Sequence, residues 1–486
     1  MRRQHLWPAD VLFPTVTFAL FLAVVLPLTW VLADRRVAWL TAITASSAVF
    51  YGWHLWHFLW LLSGSILANW LFGRATAAAP PGSARRRWVV RGAVGANLGL
   101  LGWFKYAGFF STSVVNGAAS LGIDLPLSVV RVGLPIGISF FTFHALSYVI
   151  DIGRGTLEPA TLLEFATYMS FFPHLVAGPI VRGSELLPQL RNRPATQSVD
   201  LVRAGRLILV GLVKKVVISS YLASALVDRA FTTPGGLNSA QALFAMYGYA
   251  AQIYADFSGY TDIAIGIALL LGFRFPENFD APYTAVSLQD FWRRWHMTLS
   301  RWLRDYLYIP LGGNRGGVAR TYRNLALTML LGGLWHGASW TFVIWGGLHG
   351  SGLAAERWWG ERRAPSRIDE AMTAGSWSIW LRRVATFHFV CLAWIFFRAD
   401  SFATARTFLG RLFGGGWGGP GVHFAYVLSL VVGLGAQFIG SGALAAVEVR
   451  VRSLPTVLQV VGMSVGLVAV STFGPEGVAP FIYFRF

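Results

Sequence analysis

The chain is built from apolar blocks of 20 or more residues that carry no period-two or heptad pattern. A block of that length matches a hydrocarbon core of about 30 Å, which roughly 20 helical residues cross. Only helices and closed barrels satisfy their backbone groups in such a medium. Of 486 residues, 55% are apolar and 13% charged, about half the charged share of an ordinary soluble domain. Spans are expected near 11–33, 37–53, 56–73, 92–111, 132–150, 161–181, 205–227, 240–271, 325–355, 382–398, 424–446 and 456–474. The fold class is therefore all-α: a polytopic integral membrane protein with about 11–12 membrane helices, plus re-entrant or interfacial ones. No polar stretch exceeds about 25 residues, so a single membrane domain over 1–486 is expected.

The net charge is +18, from 40 Lys and Arg against 22 Asp and Glu. The basic residues punctuate the apolar blocks, which fits the positive-inside rule and membrane lipid as the neighbour, not nucleic acid. Arg35 and Arg36 share a side with Arg85, Arg86, Arg87 and Arg91, two passes later, and that side reads as cytoplasmic. The segments 182–206 and 357–367, with five and four Arg, are further cytoplasmic candidates. The first apolar run, Val11 to Ala33, is too long for a signal-peptide core and is expected to be a retained span. The one cysteine, Cys391, excludes an internal disulfide and a cysteine metal cluster, and the histidines lack metal spacing.

Residues 276–317 break the pattern. Ser287, with Asp290 three residues on, resembles a helix N-cap, and Pro310 with Gly312 and Gly313 stops the helix. One helix between them would align Phe291, Trp295, Thr298, Trp302 and Tyr306 on one stripe, and Arg293, His296, Ser300 and Arg304 on another. A helix so charged lies at an interface or enters a protein-lined cavity. It is either a surface anchor or a receiver for an anionic donor. In the second case Arg293, Arg294, Arg301 and Arg304 would meet the phosphates of coenzyme A or of a phosphopantetheine carrier, since guanidinium forks match phosphate.

The next block, from Leu325, places His336 among apolar residues and within GxxxG spacings at Gly333–Gly337 and Gly346–Gly350. Small residues there permit close helix approach or mark a broken helix. An ionisable group at that depth is a functional candidate by default, and imidazole suits general base work near neutral pH. The bland alternative is a neutral histidine bonded to a carbonyl. For Asp256, Asp262, His144, His174 and His349 a structural role is the expectation. No P-loop, HExxH or serine nucleophile motif occurs.

The run ENFDAPYTAVSLQDFWRRWHMTLSRWLRDYLYIPLGGNR, then LTMLLGGLWHGASWTFVIWGGLHG, resembles the membrane-bound O-acyltransferase family. The likeness is strongest to the branch of the alginate O-acetylation membrane protein and the teichoic-acid D-alanyl transfer protein. LPIGISFFTFHALSYVID, SFFPHLVAGPIVR and QIYADFSGYTDIAIG resemble it too. The likeness is dense over 130–350 and returns at the C-terminal PFIYFRF, within 476–486. It implies helices around a central tunnel, with His336 as catalytic histidine and His296 as its companion. It implies a cytoplasmic thioester donor, acetyl-CoA first or an acyl carrier protein, with no bound cofactor or metal. It also implies a bacterial inner or plasma membrane location, an extracytoplasmic SGNH-type partner and a glycan acceptor. In that branch the terminal FxYFxF motif is linked to carrying the acyl group on its tyrosine, here Tyr483. Arg485 stands where the family more often has Gln. A phenol of pKa about 10 needs a base to become a nucleophile, a role His336 could fill.

The expected function is O-acylation of an extracytoplasmic polysaccharide. A transporter or flippase of an envelope precursor is the rival, though no inverted repeat is found. A scaffold with structural histidines is the third class.

Overall fold

The structure, a computed structural model, describes residues 13–192, 199–362, 376–418, 423–474 and Ile482. All regular elements among the described residues are helical. Five helices are long and apolar enough to cross a membrane: Leu55–Ala78, Leu201–Thr232, Ser239–Leu270, Trp377–Arg398 and Thr456–Phe473. The pair Tyr426–Phe438 and Gly442–Arg452, bent by 90°, makes a sixth if it is one broken span. The other described helices fall short of that combination of length and apolarity. The chain separates into two units, Met1–Ala204 with Ala264–Pro276 and Gly205–Ile263 with Glu277–Phe486.

In the first unit, α1 (Val16–Val31) starts at Thr15, whose Oγ1 accepts the Phe18 N–H at 3.2 Å. α2 (Arg36–Ala78) leaves helical geometry at Leu55, close to the boundary between the expected spans 37–53 and 56–73. α3 (Ala84–Leu101) starts at Ser83 and continues through a π-helical turn into α4 (Ala107–Ser120). α2 and α3 are joined by reciprocal amide bonds between Asn69 and Asn97, at 3.1 and 2.7 Å. α5 (Ile138–Arg154) follows.

The expected span 161–181 is corrected. It is a nine-residue helix, α6 (Leu162–Ser170), with a Thr161–Glu164 capping box, and then the single turn α7 (Phe172–Leu175). Pro173 and Pro179 deny the helix its donors and constrain the residues before them. Gly178 takes φ +119. α8 (Gly183–Arg191) closes the series.

The second unit holds most of α9 (Leu201–Thr232) and α10 (Ser239–Leu270). The short helices α11 (Leu288–Arg294) and α12 (Met297–Leu303) come next, then α13 (Val318–His336) and α14 (Trp340–Glu361). α15 (Ser376–Arg398), α16 (Phe402–Gly414), α17 (Phe424–Gly435), α18 (Ser441–Arg452) and α19 (Thr456–Phe473) complete it.

The single span expected at 325–355 is also corrected, because α13 and α14 form an antiparallel hairpin. A Cβ on Gly333 would lie 2.3 Å from the Phe342 carbonyl oxygen, and one on Gly346 would lie 2.4 Å from that of Met329. The GxxxG glycines thus serve the contact between the hairpin's own two arms. Ser339 caps α14, its Oγ accepting the Thr341 N–H at 3.3 Å.

Candidate active site

His336 is the last residue of α13, at the hairpin tip, and is 4% exposed. Its ring is walled by Trp335, Trp345 and Phe397, with centroids at 5.1, 5.1 and 5.2 Å, all edge-on. Gly337 follows because a Cβ there would sit 2.1 Å from the Phe342 ring.

His296 is fully buried, and its ring centroid lies 6.4 Å from that of His336. The two histidines expected to act together are therefore neighbours. The helix that was to carry His296 is not continuous, and that expectation is corrected. α11 ends at Arg294, α12 begins at Met297, and His296 adopts φ +43 between them. This left-handed geometry is uncommon for a residue with a side chain and clusters at functional positions.

The cause lies 18 residues upstream, at Asn278. A continuous helix would send the Met297 and Thr298 N–H groups to Arg293 and Arg294. Instead Met297 N–H donates to the Asn278 carbonyl at 2.9 Å, and Thr298 N–H to Asn278 Oδ1 at 3.1 Å. The Arg294 carbonyl accepts from Asp280 N–H at 2.9 Å. These three bonds replace helical bonds lost at the break.

Asn278 also sets the proton on His296. Thr298 N–H can only donate, so the Asn278 atom it meets is the oxygen. That oxygen also accepts from Thr298 Oγ1 at 2.8 Å and lies 3.2 Å from His296 Nδ1. Nδ1 therefore carries the hydrogen, and Nε2 of the neutral ring keeps its lone pair. Nε2 has no hydrogen-bond partner among the described residues. Phe257 packs edge-on against this ring at 4.6 Å.

His349 has the opposite tautomer: Trp292 Nε1–H donates to its Nδ1 at 3.3 Å, which leaves the hydrogen on Nε2. Its ring meets Trp345 at 4.9 Å, so Trp345 stands between His336 and His349.

The helix break scatters the polar stripe. Arg293 and Arg304 are exposed while His296 is buried, so they share no face. Arg294 Nε binds Asp290 Oδ1 at 2.8 Å, and Arg304 Nε binds Asp305 Oδ1 at 2.6 Å. Arg301 is half-buried on α12. The apolar stripe keeps its burial: Phe291, Trp295, Thr298 and Trp302 are all buried. Among the described residues no group of His, Cys, Asp or Glu side chains is placed to hold a metal ion.

Residues 138–397 match the membrane-bound O-acyltransferase family, MBOAT. The chain belongs to this family. It is an O-acyltransferase and a multi-pass membrane protein. Over 419 residues it is 43% identical to the probable alginate O-acetylase AlgI of Pseudomonas aeruginosa, covering 85% of this chain and 77% of that one. It is 38% identical over 399 residues to the peptidoglycan O-acetyltransferase of Helicobacter pylori, at 76% and 73% coverage. It is 31% identical over 280 residues to the teichoic acid D-alanyltransferase of Streptococcus thermophilus, at 54% and 68% coverage.

In this MBOAT chain the matched segment contains His296, His336 and the four arginines. It also contains Asn278, Trp345 and Phe397, which sequence reasoning did not single out. Of these only Asn278 carries a hint in the sequence, as a polar residue within the ENFDAP motif. Tyr483 lies beyond the matched segment and outside the described residues.

Proposed function

We propose that this chain O-acylates an extracytoplasmic envelope polysaccharide, with acetyl as the acyl group and a cytoplasmic thioester as donor. The observation that carries the reading is the fully buried His296, its Nε2 free to accept a proton, next to His336. The names of the alginate, peptidoglycan and teichoic acid relatives support a polymer acceptor in the envelope.

His336 acts as the main base. It removes the proton from an attacking hydroxyl while that oxygen bonds to the thioester carbonyl carbon. The tetrahedral intermediate collapses, the C–S bond breaks, and the protonated imidazole returns its proton to the thiolate. His296 shares the base function on the donor side. The attacking oxygen is the phenol of Tyr483, which holds the acyl ester until an SGNH-type partner outside the membrane passes it to the glycan. Arg293, Arg294, Arg301 and Arg304 line the approach of acetyl-CoA or a charged acyl carrier protein. The protein resides in the bacterial inner or plasma membrane, and a protein-lined tunnel separates the coenzyme from the acceptor.

The test is purified protein in nanodiscs with labelled acetyl-CoA, wild type against His336→Ala. Thioester loss and label on the C-terminal peptide, both abolished by the substitution, are expected. A folded wild type that consumes neither acetyl-CoA nor an acetylated carrier protein would sink the donor assignment.

A further inference from the structure

Asp256 and Lys215 form an ion pair with side chains 2% and 1% exposed. Both lie in helices long and apolar enough to span a bilayer, α10 and α9. Ser219 Oγ donates to the same carboxylate oxygen, Oδ1, at 3.0 Å. Lys215 and Ser219 belong to a π-helical stretch, Val213–Ser219, a geometry that recurs at functional positions. Glycine brings the two helices together. A Cβ on Gly211 would lie 2.6 Å from the Gly259 carbonyl oxygen, and one on Gly259 would lie 2.7 Å from that of Gly211.

The other oxygen has a different partner. Asp256 Oδ2 accepts the backbone N–H of Ile482, 226 residues further on, at 3.0 Å. Ile482 is itself buried, at 2% exposure. It is the residue before Tyr483 in the sequence. Phe257, the residue after Asp256, packs directly on His296. Lys215 supplies the countercharge to the buried carboxylate and Ser219 a hydrogen bond. A third bond, from the far end of the chain, adds a tether.

We propose that Asp256, oriented by Lys215 and Ser219, is the seat that anchors the C-terminal segment to α10, one residue from the wall of the His296 pocket. Asp256 and Lys215 are then positioning residues for transfer through Tyr483. This role rests on the acyl-tyrosine reading given above; the anchoring itself does not.

Two variants separate these statements in the full-length protein in nanodiscs. Ile482→Pro removes the donor N–H and leaves the ion pair intact, with Ile482→Val as the conservative control. The double variant Lys215→Met, Asp256→Leu removes both charges together, a replacement buried pairs tolerate far better than loss of one partner. The first readout is carboxypeptidase trimming followed by mass spectrometry. Loss of a hydrogen bond to a charged group corresponds to roughly a tenfold to hundredfold gain in the released population. Trimming should accelerate by that factor in both variants and stay at the wild-type rate in Ile482→Val.

The second readout is acetyl transfer. The turnover number is expected to fall about tenfold to hundredfold while KM for acetyl-CoA holds, the mark of lost alignment and not of lost binding. Unchanged trimming in both variants overturns the seat. Faster trimming with full turnover overturns the positioning role and, with it, the carrier role of Tyr483. If wild type does not turn over acetyl-CoA, the donor assignment fails, and the trimming rates still decide the seat.

Discussion

The molecule holds two buried histidine pairs, one in each unit, and they are built differently. His144 and His174 stack face to face, with centroids 4.3 Å apart and planes at 26°. His144 lies inside the regular helix α5, and His174 stacks again on Phe275 at 5.4 Å. His296 and His336 stand 6.4 Å apart at 58°, each at a helix break, with aromatic rings meeting them edge-on. Both pairs are equally dry, so burial does not mark the chemistry. Separation and backbone do. Stacked rings cover one another, whereas a base must come within about 3 Å of the proton it takes. The tautomer of His174 is fixed too, by the Tyr168 carbonyl 2.8 Å from its Nε2, so the wider spacing of the second pair and its place at helix breaks, with Asn278 holding the His296 proton, are what set it apart.

The sharpest way to break this contrast is to exchange the fates of the two pairs. His336→Ala is expected to lower acyl transfer by about 10²–10⁴-fold with the fold retained, read as thioester turnover at unchanged elution volume. Asn278→Ala should cost about tenfold to hundredfold, because both the helix break and the His296 proton lose their keeper. Asn278→Asp, which still offers an acceptor oxygen, should recover part of that loss.

Next comes stability at the hairpin. Gly346→Ala presses a methyl onto the Met329 carbonyl, a backbone atom that cannot yield. About 1–3 kcal/mol of destabilisation is expected, against none for Gly64→Ala, where nothing lies within 4 Å. Thermal denaturation in detergent compares the two. The smallest effect belongs to His144→Phe, which fills the same stacked slot. Turnover should stay within about twofold of wild type, and a larger loss would remove the distinction between the pairs.

The membrane class was legible in the sequence, because it depends on local composition, and the expected spans near 56–73, 205–227, 240–271, 382–398 and 456–474 coincide with the five membrane-length helices. A lone imidazole in an apolar block declares itself. The break at His296 did not, since periodicity around 291–306 is that of one helix and the bonds that interrupt it come from Asn278. The split at 325–355 was legible only as spare glycines. Asp256 and Asp262 stand out in the sequence, but their partners Lys215 and Lys214, in the middle of the apolar run 205–227, do not show which carboxylates they meet. Pairing across helices leaves no trace in a one-dimensional pattern.

Those two lysines bear on how the chain enters the bilayer. Lys214 and Lys215 are consecutive, yet each meets its own carboxylate on the next helix, Asp262 at 2.7 Å and Asp256 in closer contact. A lysine or aspartate at the centre of an inserting helix costs about 2.5–3.5 kcal/mol. Inserted singly, α9 would carry that cost twice, and α10 likewise. Only six residues separate them, 233–238. With so short a connection the paired charges would offset that cost if the helices enter together, so α9 and α10 are expected to partition into lipid as one hairpin.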